Sequence, residues 1–508
     1  MGMLRDIIHI GQLVGFAITL RRHGAIRSLS HVELVPPGVP AFLRAFTFWV
    51  PRRRGLPEAD GERLAAALAA MGPAYIKMGQ TLATRPDLVG QPLARGLATL
   101  QDRLPPFPFA AAKATMEQEL DAPLDALFRH VSQTPVAAAS IAQVHKAETV
   151  EGRAVAVKVL RPGIEERFQR DVALFEWLAE LADRHVPAAA RLRPKEVVTK
   201  IRQTVEAEMD LRLEAAAAGE LADNMAGEAG YRIPEIQWHH TARRVLVLEW
   251  VDGIRLSDRD ALEASGHDLT RLARTLVQVF LKQSMRDGYF HADLHPGNLL
   301  VEPDGTIVAI DFGIMGRLND RDRRFLAEIL YGFIRQDYRR VAEIHFDAGY
   351  VPDDQDVEAF AQAMRSIADP IMDLPVERIS AGRLLAQLFA TTERFAMQTQ
   401  PQLLLLQRSM VMAEGLALHL DPSTNMWQTS RPIIEAWMLD NLSPEARLAD
   451  FLNRLPRLVE RLPDRLERLL EDRPNPPPPQ PVVIRQGRGL PLLAGMALGA
   501  LIALLVGL

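Results

Sequence analysis

Residues 291–313, HADLHPGNLLVEPDGTIVAIDFG, constrain this chain more than any other stretch. Leu299-Leu300-Val301 and Thr306-Ile307-Val308-Ala309-Ile310 are short apolar or β-branched runs, and Glu302-Pro303-Asp304-Gly305 between them is a turn sequence. The segment therefore predicts a hairpin with Asp311 at a strand end. Asp293 precedes the hairpin and Asn298 opens it. That order suits the holding of divalent cations against a nucleotide triphosphate. The Asp293 carboxylate can orient or deprotonate an acceptor, while the Asn298 amide oxygen and the Asp311 carboxylate can coordinate magnesium that bridges phosphates. An ordinary surface hairpin with acidic ends would leave this Asp…Asn…Asp-Phe-Gly register to chance. The first reading is a phosphoryl-transfer site.

Such a site needs a lysine on an upstream strand to hold the α and β phosphates, and Ala154-Val155-Ala156-Val157-Lys158-Val159 alternates as a strand should, with Lys158 in that place. A kinase covers the phosphates with a glycine-rich hairpin before that lysine. Here the segment Val136 to Val144 reads VAAASIAQV and has no glycine, so Ala137, Ala138, Ala139 and Ser140 predict a stiffer loop whose amides are less free to wrap phosphate. Arg244 to Gly253 reads as a buried strand entering a turn, which would set backbone groups of Glu249 to Val251 against an adenine edge. Lys195 to Ala218 reads as one helical segment with Glu206, Asp210 and Glu214 recurring every four residues on one face. One of these acids should pair with Lys158, and Glu214 is the first choice. The mechanism requires Lys158, Asp293, Asn298 and Asp311 to converge on one magnesium-loaded triphosphate.

These residues carry a resemblance. The Ala137-Ala138-Ala139-Ser140 loop, the Lys158 strand, His291-Ala292-Asp293-Leu294-His295-Pro296-Gly297-Asn298 and Asp311-Phe312-Gly313 resemble the UbiB / aarF-domain (ADCK-type) family of atypical kinase-like proteins. Two further signatures are similar, Lys77-Met78-Gly79-Gln80 and Glu208-Met209-Asp210. The match runs from about residue 60 to about 440. The resemblance implies a protein-kinase-like two-lobed fold, ATP and Mg2+ as cofactors, ATPase or small-molecule kinase activity, and a role in aerobic ubiquinone biosynthesis at a membrane. It also implies that Lys77, Gly79 and Gln80 lie across the place where a protein kinase receives its peptide, answered by Glu208 and Asp210. Lys77 then joins Lys158 and Asp293 as a catalytic candidate, and Val144 joins the alanine loop, Glu249 and Val251 as a nucleotide-binding one.

Composition fits a large enzyme. The chain has 508 residues, 48% of them hydrophobic, which is ample for a core exceeding one ordinary domain. It has no cysteine, which excludes disulfides, cysteine zinc sites and thiol catalysis. A formal net charge of −5 offers no basic field for nucleic acid. No Gly-x-Gly-x-x-Gly fingerprint or iron-ligand cluster supports a redox enzyme.

The termini point to a membrane. Ile7 to Leu20 is an apolar stretch broken by His9 and Gln12, too short to span a bilayer, and reads as an amphipathic helix packed on the domain or lying on a membrane surface. Leu490 to Leu508 carries no charge and as a helix reaches roughly 28 Å, close to the hydrocarbon thickness. It predicts a single-pass tail anchor. Arg485 and Arg488 before it place the catalytic domain in the cytoplasm of a bacterial-type inner membrane. Gly495 and Gly499 form a small-residue face suited to a homodimer.

The expected fold class is α+β, a protein-kinase-like two-lobed fold with a helical N-terminal extension and a C-terminal transmembrane helix. The expected divisions are 1–55 amphipathic N-terminal region, 56–130 helical extension carrying Lys77, 131–252 small lobe, 253–442 mostly helical large lobe, 443–473 amphipathic helices, 474–489 Pro-rich linker and 490–508 tail anchor. The expected partners are membrane lipids, polyprenyl quinone intermediates and ubiquinone biosynthesis proteins. Two alternatives stay open at this stage, a soluble-type small-molecule phosphotransferase and a nucleotide-binding scaffold.

Overall fold

A computed structural model of the chain describes residues 2–31, 38–83, 89–97, 99–100, 105–139, 141–185, 194–372, 393–395, 397 and 401–442. Ser140, the predicted helices of 443–473, the linker and the tail anchor lie outside the described residues. The chain divides into two compact units, one of Met1–Leu213 with Gln237–Trp250 and Ile484–Leu508, the other of Glu214–Ile236 with Val251–Val483. One crossing between them falls at Trp250 and Val251, within the segment predicted to meet adenine.

The first unit is built on a mixed-length antiparallel sheet. Phe128–Val131, Ala142–Thr149, Ala154–Leu160 and Val245–Glu249 lie side by side in that order, and Ala137–Ala138 pairs with the Ala142–Thr149 strand. Alternation decides its faces: Val155, Val157 and Val159 are buried with Val245, Val247, Ala112 and Met116, which places Lys158 on the opposite face. Lys158 stands opposite Val144 on one neighbouring strand and Leu246 on the other, so its strand is central and not an edge.

Helices flank the sheet. The amino-terminal helix Gly2–Arg22 buries Phe16, Ala17 and Leu20. Its Phe16 ring meets Tyr75 at 5.9 Å and its His9 ring meets Trp177 at 5.3 Å, so it packs on the unit. The helical stretch expected over 195–218 is broken. Pro194–Glu208 ends, and Leu211–Asn224 begins anew after Asp210. The Asp210 carboxylate accepts the Arg212 amide at 3.1 Å, an N-terminal cap that starts a second helix and interrupts the predicted acidic stripe.

The second unit holds two small sheets under helices. Tyr231–Arg232, Ile307–Ala309, Leu299–Val301 and Ile254–Arg255 form one, and Tyr289–His291 pairs antiparallel with Met315–Arg317 in the other. The predicted hairpin forms with Val301 opposite Ile307, turning at Gly305, whose φ of +85° glycine alone adopts cheaply. Helix Leu269–Leu281, capped by Asp268, buries its apolar stripe against Pro401–Leu420 and Met426–Leu442. A second core gathers Phe333, Tyr338, Phe360 and Phe395 around Tyr338–Asp347 and Val357–Met372.

Among the described residues one helix, Gln402–Leu420, is long and apolar enough to cross a membrane, with 44% of its apolar window inside the fold. Leu406, Met410, Ala413, Ala417 and Leu420 are part of the second unit's core, which accounts for much of that apolarity.

Two titrating groups, one buried and one partly buried, act in opposite senses. The His345 ring lies 5.2 Å from Phe360 with Nδ1–H donated to the Val341 carbonyl at 2.7 Å, and burial pushes its pKa down to about 4. The stability a neutral ring contributes is complete above the unfolded value of 6.5 and is lost as pH falls toward 4. Asp171, pushed up to about 6 by burial, favours the folded state at low pH and loses that contribution as pH rises through 6. The stability difference between pH 7 and pH 4, read from denaturant midpoints, should be smaller in His345→Phe than in wild type by up to about 3 kcal/mol. Equal differences would mean that His345 is not held neutral.

Candidate functional site

The acidic residues of 291–313 are assembled by hydrogen bonds around one imidazole. The strand Tyr289–His291 pairs with Met315–Arg317, and beyond it the Ala292 amide donates to the Ile314 carbonyl at 3.1 Å, which folds the loop bearing Asp293 beside the return from Asp311. His291, fully buried, receives the Asp293 amide on Nδ1 at 3.2 Å and donates from Nε2 to the Asp311 carbonyl at 2.6 Å. These partners assign a neutral ring protonated on Nε2. Burial holds the His291 pKa below its ordinary value, against the opposing pull of Asp311 and Asp293.

The loop after Asp293 closes on itself. His295 donates its amide to the Asp293 carbonyl at 2.7 Å, and Asn298 donates its amide to the His295 carbonyl at 2.8 Å. The Asn298 side-chain nitrogen donates to the Asp293 carbonyl at 3.1 Å and to its carboxylate at 3.3 Å. Ile310 donates to the Asn298 carbonyl at 3.0 Å, joining this loop to the strand that delivers Asp311. Asp311 accepts the Gly313 amide at 3.2 Å, and the buried Phe312 behind it donates its amide toward Glu214 at 3.5 Å. Asp293, Asn298, Asp311 and Glu214 thus share one end of the second unit.

This donor set fits magnesium. With its nitrogen committed to Asp293, Asn298 has its amide oxygen left to coordinate, and Asp311 supplies a hard carboxylate. No group of three or more His, Cys, Asp or Glu residues that could hold a metal occurs among the described residues. A cation on Asn298 and Asp311 would complete its shell with phosphate oxygens and water.

In the first unit the alanine loop is a tight hairpin. Val136 donates to the Val144 carbonyl at 2.8 Å and Ala139 to the Ala142 carbonyl at 2.7 Å. Arg161, three residues past Lys158, donates from Nε and Nη2 to the Ala139 carbonyl at 3.2 and 2.9 Å. This clamp adds to the stiffness expected of alanine. At the other end of the Lys158 strand, the Trp250 amide donates to the Ala154 carbonyl at 3.0 Å, and Glu249 stands opposite Val155.

Lys77 lies on helix Pro73–Ala83 with its ammonium 2.9 Å from Glu208, both side chains mostly buried. Asp210 is engaged by Arg212, whose Nε and Nη2 reach its two oxygens at 2.8 and 2.6 Å. That pairing holds the Asp210 carboxyl below its ordinary range. Gly79 lets the helix seat closely, since a Cβ there would collide with Leu100 and lie 2.8 Å from Leu68. Gln80 is partly buried on the same helix. Tyr75 of this helix meets Phe175 edge-on at 5.3 Å.

Two residues escape a reading of the sequence. Arg408 Nη2 stands 3.6 Å from the Asp293 carboxylate, although it lies in a distant helix with no motif around it. Arg161 carries a weak signal, its fixed offset from Lys158. His291 lies inside the motif, but its structural task shows only in its partners.

Residues 99–345 match the model of the ABC1 atypical kinase-like domain, and residues 364–425 match that of the UbiB helical domain. The chain is 41% identical over 456 residues to a protein of Shewanella pealeana named probable protein kinase UbiB, covering 87% of this chain and 83% of that one. It is 43% identical over 449 residues to the protein of that name in Aeromonas hydrophila, covering 86% and 82%. In Pseudomonas paraeruginosa the figures are 40% over 440 residues, with 85% and 82% covered. Among solved structures, the complex of Rv3197 with erythromycin from Mycobacterium tuberculosis aligns with a TM-score of 0.50 at 22% identity, covering 75% of this chain and 91% of that one, a likeness of fold.

The Lys77–Glu208 pair gives a quantitative test. Removing one partner leaves the other charge in a mostly buried place, so the costs of Lys77→Met and Glu208→Gln should sum to more than the cost of the double substitution. A double-mutant cycle read by chemical denaturation should return a coupling of about 1–3 kcal/mol. A coupling near zero would show that the pair does not hold this helix.

Proposed function

The chain belongs to the UbiB family of atypical kinase-like proteins, and on that footing we propose that it binds Mg-ATP and transfers or hydrolyses the γ-phosphoryl group in support of ubiquinone biosynthesis at a membrane. The observation that carries this reading is the His291-centred assembly that brings Asp293, Asn298 and Asp311 to one end of the second unit.

The residues take distinct roles. Lys158, on the central strand of the first unit, would orient the α and β phosphates, with Glu214 as the acid proposed to answer it. Asn298 and Asp311 would hold magnesium. When bound, the metal neutralises the triphosphate and fixes its conformation. Asp293 would position the acceptor hydroxyl or water and take its proton, with the Arg408 guanidinium 3.6 Å from its carboxylate. The stiff loop of Ala137, Ala138, Ala139 and Ser140, with Val144, would bound the phosphates, and Glu249 to Val251 would meet the adenine edge. Lys77, held by Glu208, would exclude a peptide acceptor, so the acceptor would be water or a small lipid-like molecule such as a polyprenyl quinone intermediate.

Two features support action at a membrane. The uncharged Leu490–Leu508 segment has the composition of a tail anchor. Phe48 and Trp49 are 75% and 62% exposed beside the exposed Arg52, Arg53 and Arg54, the aromatic and basic mixture that suits an anionic lipid surface. We propose the inner face of a bacterial cytoplasmic membrane as the place of action, with quinone biosynthesis proteins as partners.

Removal of a magnesium ligand tests this function. Asp311→Asn should weaken Mg-dependent nucleotide binding by about tenfold or more, or at least 1.4 kcal/mol. In a strain lacking the gene it should leave quinone intermediates accumulated where wild type clears them. Full rescue by a variant shown not to bind nucleotide would replace the enzymatic reading by that of a scaffold.

A further inference from the structure

Helix Pro401–Leu420 presents a stripe that the phosphoryl-transfer reading leaves unused. Arg408, at 3.6 Å from Asp293, marks its polar end. Met412, Gly415 and Leu416 follow at offsets of four, seven and eight residues, hence on the same face. With Leu294 and Pro296, from the loop that carries Asp293, they line a groove of about 400 Å³, a volume within the roughly 300–1,000 Å³ of small-molecule sites. Asp293 and Arg408 do not themselves line the groove, which lies beside the loop that carries Asp293 and one turn along the helix from Arg408.

Its chemistry selects the occupant. Leu294 and Leu416 are buried, Met412 is partly so, and a Cβ built on Gly415 would meet nothing within 4 Å. Gly415 is exposed, so glycine here leaves one side of the groove without a side chain. At the far end the His419 ring already engages the Ser257 carbonyl at 3.1 Å. A peptide would bring amides and carbonyls that need partners, and Pro296 has no N–H while the helix backbone is satisfied internally. A hydrocarbon chain needs only apolar contact.

We infer that this groove binds the apolar chain of an amphiphile, with its hydroxyl head at the Asp293 end. The position of the head rests on the proposed role of Asp293, whereas the chain's binding does not.

The test uses the full-length protein in lipid nanodiscs and decan-1-ol carrying a mid-chain diazirine. Irradiation should label peptides containing Met412 to His419 and Leu294 to Pro296. Gly415→Leu should reduce that labelling by about tenfold, Gly415→Ala should reduce it less, and both should melt as wild type does. As a second measurement on wild type alone, unlabelled n-alkanols should compete with affinity rising roughly three- to fourfold per CH₂. Decyl methyl ether, which lacks the hydroxyl donor, should compete less well than decan-1-ol, a preference that Asp293→Ala removes. Labelling elsewhere, labelling that a folded Gly415→Leu leaves unchanged, or a flat chain-length series overturns the groove. Labelling that follows Gly415 in a wild-type protein without ATP turnover would instead overturn the phosphoryl-transfer reading and leave the groove standing.

Discussion

A neutral imidazole holds the acidic end of the second unit in register. His291 sits between a donor, the Asp293 amide, and an acceptor, the Asp311 carbonyl, and only the Nε2-protonated ring satisfies both. A proton on Nδ1 would set donor against donor in a dry site, leaving an amide unsatisfied at a cost of about 1–3 kcal/mol. Burial lowers the ring's pKa and so favours the neutral form, against two nearby carboxylates that favour its charge. The separation of Asp293 from Asp311 therefore depends on a side chain that takes no part in the chemistry proposed for them.

The first unit reaches order by a different route. Its lysine is fixed by alternation on a central strand, where one face buries valines and the other carries Lys158. Its alanine loop carries side chains that discourage positive φ, and Arg161 hydrogen-bonds the Ala139 carbonyl within it. Its extension helix is seated by Gly79, by Tyr75 against Phe175 and by the Lys77–Glu208 pair.

The sequence makes the local elements legible and hides their long-range partners. The hairpin of 299–309, the Lys158 strand and the strand before Trp250 form as alternation and turn residues predict, because period-two patterning and Glu-Pro-Asp-Gly chemistry are local properties. The break at Asp210 goes unseen because a stripe every four residues also fits two helices in succession, and the cap on Arg212 decides between them. Arg408 at Asp293 is illegible for a different reason, since only the packing of helix Pro401–Leu420 brings them together. The Lys77–Glu208 pair joins residues that only the family resemblance singles out in the sequence. The same packing of helix Pro401–Leu420 leaves an apolar groove beside the loop of Asp293.

The most direct measurement is the tautomer of His291. Nitrogen chemical shifts of the imidazole in ¹⁵N-histidine protein, assigned by loss of the signal in His291→Gln, report which nitrogen carries the proton. A ring that ties Asp293 to Asp311 should be neutral at pH 6.5, protonated on Nε2 and bare on Nδ1, and it should resist protonation below that pH. A doubly protonated ring at neutral pH, or a proton on Nδ1, would contradict the arrangement on which the acidic site depends.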